Sequence, residues 1–146
     1  MVTSKNPSIN EYNRVTSSVR PLGSTFKIIP YTAALIEGTK LRDKFDDFPT
    51  CWRNYCPKNF SEEYRGSISL IESFKSSSNI VPISITKKIG LKNIINLANS
   101  FGLGYSQKLE EFPSLAIGSY GDSLLNITNA YSTINNNGKI QSPSIL

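Results

Sequence analysis

The segment Arg20-Pro21-Leu22-Gly23-Ser24-Thr25-Phe26-Lys27 joins a turn to the start of a helix. Gly23 permits a sharp entry, and serine is among the residues preferred at a helix N-terminus. Apolar residues follow at helical spacing up to Gly38, namely Phe26, Ile29, Ala33 and Ile36. Pro30 lies inside this pattern, so it should kink the helix or hold its first turns in a looser geometry. The sequence therefore predicts a helix from about Ser24 to Gly38, with a serine presented at its start.

The composition restricts the chemistry that could take place at such a serine. The chain has 146 residues, 16 Lys and Arg against 11 Asp and Glu (net charge +5), and no histidine. A Ser-His-Asp triad, a Cys-His pair, a His-ligated zinc ion and an imidazole base are therefore all excluded. Any proton carrier near neutral pH must be Lys, Asp, Glu, Tyr or Cys. No apolar run approaches the roughly 18 residues needed to span a bilayer.

The positive charge gives little support for a nucleic-acid partner. Basic residues are scattered along the chain, and the one local cluster is Lys87, Lys88 and Lys92. A solvated helix face explains that cluster better than a binding patch does.

The two cysteines, Cys51 and Cys56, are separated by four residues. Two thiols without histidine make a poor zinc site, because such sites normally have four ligands. A small disulfide in an oxidising compartment and two reduced thiols packed beside Trp52 are both open.

Turn-forming residues divide the rest of the chain into mainly helical segments. Residues 39–66 contain Pro49 and Pro57 and are predicted to form a long loop, which is uncommon unless functional. The predicted helices are 67–77, about 82–88 with Gly90 as its stop, 91–101, and one from Asp122 or Ser123 to Asn137-Gly138. The prediction is a mostly helical chain with few strands.

Without histidine, the leading nucleophile pair is a serine with a lysine three residues later. On a helix these two residues share a face, and burial can lower the pKa of the lysine until it acts as a base. Two Ser-x-x-Lys matches occur, Ser24–Lys27 and Ser84–Lys87, where composition alone predicts about 1.6. Ser84 lies in the middle of an amphipathic stretch, whereas Ser24 lies where a turn meets a helix. Ser24 and Lys27 are therefore the candidate pair.

A second polar group, Ser77-Ser78-Asn79, lies between two predicted helices. A hydroxyl can relay a proton, and an amide that both donates and accepts can hold a peptide bond. The alternative is ordinary capping of a helix end by a polar run.

In this order, these segments resemble the transpeptidase domain of class A penicillin-binding proteins. That family carries Ser-x-x-Lys, then Ser-x-Asn, then Lys-Thr-Gly. The further segments that resemble the family are Tyr12-Asn13-Arg14, Pro57-Lys58-Asn59-Phe60, Tyr64-Arg65-Gly66, Pro113-Ser114-Leu115-Ala116-Ile117-Gly118-Ser119 and Ala130-Tyr131-Ser132. The resemblance covers nearly the whole chain.

The resemblance implies a role for each candidate residue. Ser24 would attack a D-Ala-D-Ala stem peptide or a β-lactam to form an acyl-enzyme, with Lys27 as its general base. Ser77 would relay a proton to the leaving amine, and Asn79 would bind the amide of the substrate. Peptidoglycan stem peptides and β-lactams are the implied partners, with no nucleic acid, no metal and no organic cofactor. The implied location is the extracytoplasmic face of the cell membrane, held there only through an anchor absent from these residues.

The family fold is α+β, but these residues are expected to be mostly α-helical with little sheet. No Lys-Thr-Gly occurs in the sequence, and Met1-Val2 is expected to be the tail of a sheet strand. Residues 1–146 are therefore interpreted as one partial transpeptidase domain, the helical half with the first two motifs. A complementary C-terminal fragment could supply the third, and without the sheet the helices should expose apolar surface.

The resemblance leaves two other functions open. One is a β-lactamase or β-lactam-sensing domain of the same fold, for which no acidic deacylation base is evident. The other is a catalytically inactive interaction module, in which Ser24 and Lys27 are retained without use.

Overall fold

The protein is described by a computed structural model covering residues 12–141, so the expected strand at Met1-Val2 lies outside the described residues. The described part contains five α-helices, two 3₁₀ helices and four short strands. The strands are β1 (Arg20–Pro21), β2 (Lys44–Asp47), β3 (Gly66–Ser69) and β4 (Gly121–Asp122). The α-helices are α1 (Ile28–Ile36), α2 (Leu70–Lys75), α3 (Ile80–Ile89), α4 (Leu91–Ser100) and α5 (Leu124–Asn135), and the 3₁₀ helices are Gly23–Lys27 and Pro113–Ile117. The helix-rich α+β class expected from the sequence is confirmed.

The first predicted helix begins as a 3₁₀ helix and continues as α1, which confirms the looser geometry expected from Pro30. Proline has no N–H, and as the third residue of α1 it occupies a position whose N–H would have no partner within that helix. The helix ends at Ile36, and Gly38 follows with a φ of +86°.

The start of this 3₁₀ helix is held against the second one by backbone contacts. Strand β1 pairs antiparallel with β4, and the N–H of Gly23 donates to the carbonyl of Gly118 at 2.9 Å. Gly118 has a φ of +80°, and a Cβ there would collide with the carbonyl oxygen of Gly23 and lie 2.7 Å from its nitrogen. Only glycine at position 118 therefore permits this close approach to Gly23, the residue directly before Ser24.

The prediction of a long loop over residues 39–66 is wrong at both ends. Strands β2 and β3 form an antiparallel pair with Asp47 opposite Gly66. The sequence of β2 does not predict a strand, because it is polar and lacks the alternation of apolar residues that is typical of a half-buried strand. The predicted helix 67–77 is also shorter than expected, because Ser69 ends β3 and caps α2 in a capping box with Glu72.

The remaining helices follow the sequence closely. Helix α3 starts two residues before Pro82, α4 lies within the predicted range, and the side chain of Ser123 caps α5. Lys87, Lys88 and Lys92 are not buried, as expected for a solvated face. In the described part of the chain, no helix is long and apolar enough to cross a membrane.

Helix α1 is the centre of the packing. One of its faces, with Ile29 and Ala33, packs in a cluster that includes Ile94 of α4 and Ile127 of α5. The opposite face, with Tyr31 and Ala34, packs in a second cluster that joins it to β3, α2 and α3. Because both sides of α1 are buried, the 3₁₀ helix that precedes it has a fixed position relative to α3.

The structure shows how the two cysteines are paired and which large apolar side chains are exposed. Cys51 and Cys56 form a disulfide, which closes a turn between Trp52 and Tyr55, so these thiols are not metal ligands. Large apolar side chains are exposed at the end of α1, at the start of α5 and in the connecting segments: Leu35, Ile36, Leu41, Phe48, Phe60, Phe112 and Leu124.

The contact between Gly118 and Gly23 gives a stability prediction. Gly118→Ala should destabilise the protein by at least about 2 kcal/mol more than Gly138→Ala, because overpacking adds to the strain of a positive φ. Gly138 is the matched control, since it has the same φ of +80° but nothing within 4 Å of an added Cβ. Urea denaturation of both variants checks this, and equal losses of unfolding free energy would show that the Gly118 backbone can move away.

Candidate active site

The Lys27 side chain is buried, with 3% of its surface exposed. Its Nζ lies 2.6 Å from the carbonyl oxygen of Ser77, 3.0 Å from Ser77 Oγ and 2.6 Å from Asn79 Oδ1. These acceptors carry no charge, and burial lowers the pKa of Lys27 from 10.5 to about 8. The structure therefore brings three of the four predicted site residues together around one amine.

Ser24 lies on the same 3₁₀ helix as Lys27, three residues before it, and its side chain is exposed. On a 3₁₀ helix, residues three apart lie one above the other. The side chains of Ser24 and Lys27 therefore extend from the same side of this helix. Within residues 12–141, however, no hydrogen bond joins Ser24 Oγ to Lys27. The 3₁₀ helix is also held by the hydroxyl of Tyr131, which donates to the carbonyl of Thr25 at 3.0 Å.

Ser77 has a left-handed backbone, with a φ of +55°. It follows the C-terminal residues of α2, where the N–H of Ser77 donates to Phe74 and the N–H of Ser78 donates to Ser73. This is the hydrogen-bond pattern of a Schellman motif, whose left-handed position is usually glycine. A serine there is strained by about 1–2 kcal/mol. Such strain is common where a side chain has a functional role.

The middle residue of the run, Ser78, caps the next helix. Its Oγ accepts from the N–H groups of Ile80 and Val81 and donates to Asp47 Oδ1 at 2.7 Å. The capping interpretation of the run is therefore correct for Ser78. It does not exclude the functional interpretation, because Ser77 and Asn79 face Lys27.

Asn79 is held at its backbone and at both ends of its side chain. Its Oδ1 accepts from Lys27, its Nδ2 donates to the carbonyl of Lys58 at 2.6 Å, and its N–H donates to Asn59 Oδ1 at 2.8 Å. The second hydrogen of Nδ2 and a lone pair of Oδ1 are left for a ligand. Asn79 can therefore bind an amide without losing its contact with Lys27.

Two residues behind the site were missed by sequence reasoning. Asp47, with 1% of its surface exposed, accepts hydrogen bonds from Asn59 Nδ2, Ser78 Oγ and the N–H of Arg65. Asp47 ends the polar strand β2, and Asn59 lies in a segment that was used only for the family resemblance. Nothing local marks them, because the hydrogen bonds that join Asp47, Asn59 and the second motif span 12 to 31 residues of sequence.

The arrangement can move a proton between serine hydroxyls and an amine. A neutral Lys27 has two N–H groups and one lone pair. The carbonyl of Ser77 and Oδ1 of Asn79 accept the two N–H groups at 2.6 Å each, which leaves the lone pair for a hydroxyl. Ser77 Oγ is already within 3.0 Å of this amine.

A separate cavity of about 500 Å³ lies between the end of α1, β2 and α3, lined in part by Ala34, Phe45 and Ile85. None of Ser24, Lys27, Ser77 and Asn79 lines it. The candidate site is therefore identified by its hydrogen bonds rather than by this cavity.

Comparison with known proteins identifies the family of this chain. The family model of the penicillin-binding protein transpeptidase domain matches residues 1–146. Penicillin-binding protein 1A of Rickettsia prowazekii is 32% identical over 142 residues, which are 93% of this chain and 18% of that protein. The chain thus spans about a fifth of the length of the curated relatives it matches.

Solved structures share the fold. The crystal structure of penicillin-binding protein 1A from Haemophilus influenzae has a TM-score of 0.81 and 26% identity, over 87% of this chain and 20% of that chain. The penicillin G acyl-enzyme complex of penicillin-binding protein A from M. tuberculosis has a TM-score of 0.76 and 23% identity, over 92% of this chain and 36% of that chain. With a family model matched along its whole length, the chain belongs to the penicillin-binding protein transpeptidase domain family.

Proposed function

We propose that residues 1–146 contribute the first two motifs of a serine DD-transpeptidase that crosslinks peptidoglycan and is acylated by β-lactams. The observation that carries the proposal is the buried amine of Lys27, which is hydrogen-bonded to Ser77 and Asn79. Lys27 lies on the same 3₁₀ helix as Ser24. A solvated lysine would stay protonated near neutral pH, whereas burial lowers the pKa of this one to about 8.

Ser24 is the proposed nucleophile and Lys27 its general base. The Oγ of Ser24 attacks the carbonyl of the penultimate D-Ala as its proton passes to the amine of Lys27. The C–N bond to the terminal D-Ala then breaks, and the proton reaches the leaving amine through Ser77. An acceptor amine on a second stem peptide then attacks the acyl carbonyl, the C–O bond to Ser24 breaks, and a proton of the amine passes through Lys27 to the Oγ of Ser24.

Two further contacts complete the proposed mechanism. Asn79 binds the amide of the stem peptide through the second hydrogen of Nδ2 and the second lone pair of Oδ1, which its contacts with Lys58 and Lys27 do not use. The N–H of Ser24 supplies one oxyanion donor, and the strand that carries the family's Lys-Thr-Gly supplies the other. That motif is not among residues 1–146, so the activity requires it from outside them, in the same gene product or from a complementary C-terminal fragment. Loss of one oxyanion donor typically costs about 10²–10³ in rate.

We place this reaction on the extracytoplasmic face of the membrane. The disulfide between Cys51 and Cys56 supports this location, because disulfides persist in oxidising compartments. A β-lactamase would instead need a free carboxylate to activate a deacylating water. Asp47, the carboxylate bound to the second motif, is buried, and its oxygens accept hydrogen bonds from Asn59, Ser78 and Arg65.

Labelling with a fluorescent penicillin tests the nucleophile in the complete gene product that contains these residues. We expect a covalent label at Ser24, identified by peptide mass spectrometry and lost in Ser24→Ala. Ser84→Ala is the matched control, because Ser84 begins the other Ser-x-x-Lys and should keep the full label. Residues 1–146 alone should label slowly or not at all. A label that survives in Ser24→Ala would remove Ser24 from the mechanism.

Acylation should also depend on pH through Lys27. The base must be neutral, so the second-order rate constant should rise with pH through about 8. Between pH 8 and 10.5 the unfolded chain binds more protons at this lysine than the folded chain does, so the free energy of unfolding should rise with pH. Stopped-flow labelling across this range checks the rate. Lys27→Arg, which cannot lose its proton, should be slower by about 10²–10⁴ and show no such rise.

Ser77 offers a way to separate hydroxyl chemistry from backbone strain. Ser77→Ala and Ser77→Gly both remove the hydroxyl, so both should slow acylation to a similar extent. Their stabilities should differ, because glycine accepts the φ of +55° without strain while alanine does not. We expect Ser77→Gly to be about 1–2 kcal/mol more stable than Ser77→Ala in urea denaturation. Wild-type acylation rates in both variants would show that Ser77 relays no proton.

A further inference from the structure

We propose that Asp47 and Asn59 form a positioning pair that holds Asn79, and through it the partners of the Lys27 amine, in the orientation that the reaction requires. The proposal rests on the proposed function, because positioning matters only if Lys27 acts on Ser24. Asp47 and Asn59 touch no reacting atom. They act through the backbone of the second motif.

The contacts form a continuous path from β2 to the amine of Lys27. Nδ2 of Asn59 donates to Asp47 at 3.1 and 3.2 Å and to the carbonyl of Glu63 at 2.9 Å. Oδ1 of Asn59 accepts the N–H of Asn79 at 2.8 Å, and Oδ1 of Asn79 accepts from Lys27 at 2.6 Å. A second branch runs from Asp47 to Ser78 Oγ at 2.7 Å. Both branches end on neighbouring residues of the second motif.

The chemistry of the pair allows only one orientation of the Asn59 amide. Were the amide rotated by half a turn, its oxygen would face the carboxylate of Asp47 and its NH₂ would face the N–H of Asn79. Both contacts would be repulsive, and buried polar groups left without partners cost about 1–3 kcal/mol each. The charge of Asp47 therefore selects the orientation in which Asn59 receives the N–H of Asn79.

In the described residues, the carboxylate of Asp47 is bound by neutral donors rather than by a cation. It is almost fully buried, and no Lys or Arg of residues 12–141 forms a salt bridge with it. Burial of a carboxylate is costly unless donors surround it. Here every donor is attached to the loop before β3 or to the second motif: Asn59, Arg65 and Ser78. The carboxylate thus ties the loop to the motif.

The same loop reaches the site at a second point. The carbonyl of Lys58, next to Asn59 in the chain, accepts from Asn79 Nδ2 at 2.6 Å. Release of Asn59 would therefore loosen both the backbone and the side chain of Asn79. A shift of about 1 Å in such a group can cost about a hundredfold in rate.

The test compares Asn59→Ala and Asp47→Asn with Asn54→Ala in the complete gene product that contains these residues. Asn54 is an exposed asparagine of the same loop and serves as the matched control. The fraction of protein that a saturating fluorescent penicillin labels reports folding, and the labelling rate per reactive site reports positioning. We expect both variants to be slower per reactive site by about tenfold to a hundredfold, with Asn54→Ala unchanged. A smaller labelled fraction with an unchanged rate would overturn the proposal, because it would show a purely structural role.

A polarity swap sharpens the test. Asn59→Asp alone places a second carboxylate against that of Asp47, and because like charges repel at such close range it should be the slowest variant. With Asp47→Asn added, an amide again donates to a carboxylate, and the carboxylate introduced at position 59 still accepts the N–H of Asn79. We expect the double variant to label faster per site than Asn59→Asp. A double variant as slow as Asn59→Asp would contradict the role assigned to the hydrogen bond.

Titration of Lys27 by NMR, through its side-chain carbon beside the amine, needs no acylation and separates this proposal from the proposed function. In Asn59→Ala, water should reach the amine and replace its acceptors, so the midpoint should move from about 8 toward 10.5. An unchanged midpoint would overturn the positioning role. A shifted midpoint in a protein that no penicillin labels would leave the pair in place and reject the transpeptidase.

Discussion

The burial of one lysine amine links the two halves of the site. The side chain of Lys27 extends from the 3₁₀ helix before α1 and forms hydrogen bonds with Ser77 and Asn79, which lie 50 and 52 residues later in the sequence. A buried ammonium is costly, and its three acceptors reduce that cost without supplying a negative charge. The result is an amine that is ordered by hydrogen bonds yet can lose its proton near neutral pH. Paired with a carboxylate, it would be held in the charged form.

The fold supports this amine by fixing the elements on each side of it. Helix α1 is packed on two faces, so the 3₁₀ helix that carries Ser24 and Lys27 has little freedom to move. The close approach of Gly118 to Gly23 holds the start of that helix. On the other side, Ser77 and Asn79 lie between α2 and α3, and the strained backbone of Ser77 turns the chain between them.

Much of the site could be predicted because its signals are local. Gly23 and Ser24 at a turn, the shared face of Ser24 and Lys27, and the absence of histidine all point to a lysine-assisted serine. The hairpin of β2 and β3 could not be predicted in the same way, since Lys44–Asp47 has no alternating apolar pattern and depends on its partner strand. Asp47 and Asn59 were missed for a related reason. An isolated aspartate or asparagine in a polar segment has the same appearance whether it is solvated or buried.

By itself the sequence determined the family, most of the helix boundaries and the type of chemistry, because capping residues, prolines, glycines and short-range spacings act over a few neighbouring residues. Only the tertiary structure decided that the second motif encloses Lys27, that the two cysteines are bonded, and that a carboxylate from β2 supports the second motif. Lys27 and Lys87 each lie three residues after a serine, yet one is enclosed by a distant segment and the other is exposed. The difference between them is desolvation, and desolvation depends on how separate segments pack together.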